Sequence, residues 1–66
     1  MSRYSATLAV AERNVRQGRL ADALGHIGDA LNAAADAPSA KLDADDLRVM
    51  RDVVDAAASK LRTAKP

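Results

Sequence analysis

Apolar side chains recur at helical spacing in three separate segments of the chain. In the first they lie four, three and four residues apart, which places them on one helical face: Tyr4, Leu8, Ala11 and Val15. This spacing predicts a first helix over about residues 3–17, with Ser2 or Ser5 as its N-terminal cap. Gly18 follows directly and suits the left-handed residue with which many helices end.

The second segment shows the same periodicity in larger side chains. Its apolar stripe consists of Leu20, Leu24, Ile27, Leu31 and Ala34. The stripe predicts a second helix over about residues 20–36. The helix should end in the alanine-rich stretch before Pro38, because a residue that precedes proline disfavours the α conformation.

The third segment has the clearest start. Asp43 is the expected N-cap, and Asp45 and Asp46 follow in the first turn, where the helix dipole favours negative charge. We expect a helix over about residues 44–62. Its apolar stripe is Leu47, Met50, Val54, Ala57 and Leu61, widened by Val49 and Val53.

These three segments predict an all-α fold. The connection at Gly18 is so short that the first two helices must form an antiparallel hairpin, and the third helix either covers that hairpin or reaches across to a second chain. We therefore expect a three-helix bundle in a single domain over residues 1–62, followed by a frayed tail at 63–66.

Composition makes the expected core thin. The chain has 66 residues, of which 16 are alanine, and it contains no Phe, no Trp and one Tyr. A single core in a chain of this size supplies little stability, so association commonly adds to it. We expect dimerisation to complete the bundle, with the homodimer as the favoured state.

Several protein classes are not expected from the sequence. The chain has no cysteine, so disulfides and thiolate zinc sites are excluded. No signal peptide is apparent and no apolar run approaches membrane-spanning length, so we expect a cytoplasmic protein. Frequent Ala, Arg and Asp with little Lys are typical of a GC-rich genome and suggest a bacterial, phage or mobile-element origin.

Small and large apolar residues follow a fixed order across the hairpin. A small residue lies midway along the first helix, a glycine near the turn, and two alanines flank a large residue in the second helix: Ala11, Gly18, Leu20, Ala23, Ile27 and Ala30. In this order, residues 7–35 resemble one tetratricopeptide repeat. The resemblance implies two closely packed helices with the large residue filling the gap between them.

The segment also departs from that family. Thr7 and Asn14 stand where the family has aromatic residues, Ala35 stands in the place of its terminal proline, and Pro38 comes three residues late. A single repeat cannot bury its own face. The alternative is an unrelated hairpin that obeys the same packing rules.

Charge is distributed unevenly along the chain. Residues 1–20 carry a net charge of +3, residues 21–46 carry −5, and the rest carry +3 again. Arg13, Arg16 and Arg19 form a basic cluster suited to phosphates or to an acidic protein surface, or else a solvated face with a Glu12–Arg16 pair. A nucleic-acid-binding regulator is the alternative function, although the acidic start of the third helix argues against DNA.

No constellation in the sequence points to catalysis. His26 shares a helical face with Asp22 and Asp29, which is a poor zinc site without a second His and is better explained as a solvated polar face. The aspartates at 43, 45 and 46 are explained by helix capping. We expect no enzymatic activity, no cofactor and no metal site.

A second stripe on the second helix consists only of small residues: Ala21, Gly25, Gly28 and Asn32. Glycine inside a helix costs about 1 kcal/mol relative to alanine, so a packing reason is expected. The close neighbour is either another helix of the same chain or a second chain. With Val49 and Val53, this stripe is the predicted partner or dimer interface.

The resulting functional expectation is a binding protein. We expect a small module that acts stoichiometrically, as an adaptor or as an inhibitor of a larger protein, with no membrane involvement.

Overall fold

Three helices account for most of the molecule. The computed structural model describes residues 2–63, which form α1 (Ser5–Arg16), α2 (Leu20–Asp36) and α3 (Ala44–Thr63) and contain no strand. Thr63 belongs to α3, and the remainder of the predicted tail, residues 64–66, lies outside the described residues. The chain is an all-helical, compactly packed three-helix protein.

A tight turn joins α1 to α2. Gly18 has a φ of 80°, the left-handed conformation that glycine adopts without steric cost. The Gly18 N–H donates to the Val15 carbonyl, and the Arg19 N–H donates to the Asn14 carbonyl at 2.8 Å. Because these bonds close the end of α1, the chain reverses within three residues and α2 runs antiparallel to α1.

The start of α3 is a reciprocal capping box. The Asp46 N–H donates to Oδ1 of Asp43 at 2.8 Å, and the Asp43 N–H donates to Oδ2 of Asp46 at 3.1 Å. Asp43 is therefore the N-cap, as the sequence predicts. The carboxylate of Asp46 accepts the reciprocal hydrogen bond from the Asp43 N–H, and Asp46 is buried.

Two contacts tie the beginning of α1 to the beginning of α3. The Ser2 hydroxyl donates to Oδ1 of Asp46 at 2.6 Å, and the Tyr4 hydroxyl donates to the Ala40 carbonyl. Since both helices start at the same end of the molecule, α3 runs parallel to α1 and antiparallel to α2.

The core is built from one inward-facing row on each helix, in which neighbours are three or four residues apart. The members are Tyr4 at the N-cap of α1 with Leu8, Ala11 and Val15 on α1, Ala23, Ile27 and Ala30 on α2, and Met50, Val53 and Ala57 on α3. Four of these ten residues are alanines, so the core contains few large side chains. Association would add apolar burial that this core lacks.

On α2 and α3, the row of residues that faces the core differs from the predicted apolar stripe. On α2, Leu24 and Leu31 are exposed, and their neighbours Ala23 and Ala30 face the core instead. Alanine in these positions lets the helices approach closely, whereas leucine would hold them apart. On α3 the row through Met50 and Val53 faces inward, so the predicted members Leu47, Val54 and Leu61 are exposed.

Candidate interaction surface

Five large aliphatic side chains are left on the outside of α2 and α3. Each is between 40% and 54% exposed, and together they are called here the α2–α3 face: Leu24, Leu31, Leu47, Val54 and Leu61. Within each helix they are spaced by seven residues, the interval of a helix–helix seam. The seven-residue spacing is the sequence signal for this face, although the predicted apolar stripes place these residues in the core.

The cleft between α1 and α3 identifies which side of α3 faces α1 and which side faces α2. The cleft has a volume of about 220 Å³ and is lined by Val15 and Arg16 from α1 and by Ala56 from α3. At about 100° per residue, Ala56 and Val54 lie on opposite sides of the inward row of α3. Since α1 occupies the Ala56 side, Val54 lies on the side of α2.

The same geometry places the leucines of α2. Because α2 runs antiparallel to α3, its right-handed turn brings Leu24 and Leu31 to the side that borders α3. The exposed residues of the two helices therefore flank one seam and form a continuous apolar surface. The aspartates of α2 lie away from this surface, because Asp22 and Asp29 are each two residues, or about 160° around the helix, from Leu24 and Leu31. Arg51 borders the surface along α3.

Among residues 2–63, nothing packs closely against the two glycines of the small-residue stripe on α2. Ala21, Gly25 and Asn32 are exposed and Gly28 is half-buried. A Cβ added at Gly25 or Gly28 would meet no atom within 4 Å. Packing against α1 or α3 therefore does not require these glycines, and of the two predicted explanations only contact with another chain is left as a proposal.

The two valines predicted at the interface lie elsewhere. Val53 is 2% exposed and belongs to the core, so its place in the predicted interface is corrected: a docking chain cannot reach it without opening the bundle. Val49 is half-buried and packs against the core. Both are turned inward because the α3 row through Met50 faces α1 and α2.

The predicted basic cluster gains members from α3. The residues Arg13, Arg16 and Arg19 are exposed at the end of α1 and in the turn. Since α1 and α3 are parallel, Lys60 and Arg62 in the last turn of α3 lie at the same end of the molecule. These five cations are called here the basic end. The aspartates that start α3 lie at the opposite end of that helix, about 22 Å away at 1.5 Å per residue.

The polar groups considered for chemistry have structural partners. His26 Nδ1 donates to the Asp22 carbonyl at 2.7 Å, one helical turn away. Among residues 2–63, no group of three or more His, Asp or Glu residues is placed to hold a metal ion.

The surface ion pairs are weak. Arg51 pairs with Asp55, four residues later, at 3.6 Å, and Arg48 pairs with Asp45, three residues earlier, at 3.8 Å. All four partners are mostly exposed, so each pair contributes less than about 1 kcal/mol.

Comparison with known proteins does not assign this chain to a family. No protein-family model, no curated protein and no solved structure matches it. The resemblance to a tetratricopeptide repeat therefore stays a prediction. In the described part of the chain, none of the helices has the length and apolarity needed to cross a lipid bilayer.

Proposed function

We propose that this chain is a non-enzymatic protein-binding module that acts stoichiometrically, as an adaptor or as an inhibitor of a larger protein. The observation that carries the proposal is the α2–α3 face. Small monomeric proteins seldom expose a continuous row of large aliphatic residues. Such a row therefore indicates a surface that another molecule covers in the complex. The exposed Arg51, which borders the face along α3, fits the polar rim that surrounds the apolar centre of a protein interface.

The proposal is tested by comparing three baits made from the full chain. The wild type is compared with the double variant Leu24→Glu/Leu31→Glu, which places two charges in the face, and with Ala33→Glu, which places a charge on another side of α2. All three positions are exposed, so each bait should stay helical by circular dichroism. We expect the wild type and Ala33→Glu to retain the same protein at 1:1 stoichiometry.

The double variant should bind that protein at least about tenfold more weakly, because two charges would be buried without partners. Native mass spectrometry and calorimetry on the purified pair give the stoichiometry and the affinity. Equal retention by all three baits would contradict the use of the α2–α3 face. Failure of the wild type to retain any protein from its own cells would contradict the function.

The basic end supports a second candidate function, a nucleic-acid-binding regulator. The fold brings Arg13, Arg16 and Arg19 to the same end as Lys60 and Arg62, which gives five cations from three elements. Such clustering is the electrostatic feature of a phosphate-binding surface.

This second candidate predicts strong dependence on salt. If about four phosphates are neutralised, affinity for duplex DNA should fall by about two orders of magnitude between 50 and 200 mM salt. Arg13→Ala should reduce the slope of log affinity against log salt by about 1, whereas Arg48→Ala, outside the basic end, should leave it unchanged. Fluorescence anisotropy measures both slopes. Absence of binding at the lower salt concentration would rule the candidate out.

A further inference from the structure

We draw no further inference here: the strongest candidate, the apolar α2–α3 face with the small-residue stripe beside it on α2, carries none because nothing in the described part of the chain shows what covers it.

Discussion

Leu8→Ala is expected to leave much of the chain unfolded at room temperature. Leu8 is 2% exposed and lies in the core between the three helices. Truncating a buried leucine costs about 2–5 kcal/mol, because apolar contacts are lost and a cavity stays behind. A single core in a chain this short rarely supplies more than about 3–5 kcal/mol, so the loss is comparable with the whole free energy of unfolding.

Leu24→Ala is the matched control, because it makes the same chemical change on the α2–α3 face. Leu24 is 40% exposed, so its truncation should cost about 1 kcal/mol. Urea titrations followed by circular dichroism measure both free energies, at a protein concentration low enough for association not to contribute. Equal losses for the two variants would show that Leu24 belongs to the core and would contradict the exposed face.

This pair of leucines shows what periodicity determines and what it leaves open. The spacing of apolar residues predicts three helices, and Gly18 and Asp43 mark the turn and the helix start where the structure has them. These features depend on local chemistry, namely a left-handed turn residue and a side-chain cap. They can be predicted without knowledge of the neighbouring helices.

Which side of each helix faces inward depends on the other two helices. The predicted stripe of α2 contains the largest side chains, such as Leu24 and Leu31, whereas the structure buries Ala23 and Ala30. Small residues at these positions permit closer packing of α2 against its neighbours. Periodicity does not distinguish these rows, because adjacent residues lie only about 100° apart on a helix.

For the same reason, the sequence predicts only part of the candidate surface. The small-residue stripe of α2 was identified from its glycines, whose cost within a helix needs a packing explanation. The large residues beside it were assigned to the core, so the surface lacked its apolar half. The basic end was likewise incomplete, because the parallel direction of α1 and α3 is needed to bring Lys60 and Arg62 to Arg16.

The sequence predicts Asp46 only as an acidic residue of the first turn of α3. In the structure its side chain also connects the start of the chain to the start of α3. Its carboxylate is 4% exposed and accepts hydrogen bonds from the Ser2 hydroxyl and the Asp43 N–H. Asp46→Ala removes both acceptors and leaves two donors to find water. We expect a loss of about 2–3 kcal/mol in the free energy of unfolding.

Asp45→Ala provides the control within the same turn. Asp45 is exposed, and its ion pair with Arg48 at 3.8 Å is weak, so the loss should stay below about 0.5 kcal/mol. Both variants lose one first-turn carboxylate, which cancels the effect of the helix dipole. Urea titration measures the difference, and similar losses for the two variants would show that the buried network adds nothing to capping.

A double-mutant cycle separates the two halves of the Asp46 network. Ser2→Ala removes the link to Asp46 and the bond that the Ser2 hydroxyl accepts from the Tyr4 N–H, whereas Asp43→Ala removes the N-cap and should cost about 1 kcal/mol. If Asp46 holds α1 to α3, Ser2→Ala should lose less in an Asp46→Ala background than in the wild type, whereas Asp43→Ala, whose carboxylate bonds the Asp46 backbone N–H, should lose about the same in both. A fully additive loss for Ser2→Ala would instead mean that Asp46 does not hold α1 to α3.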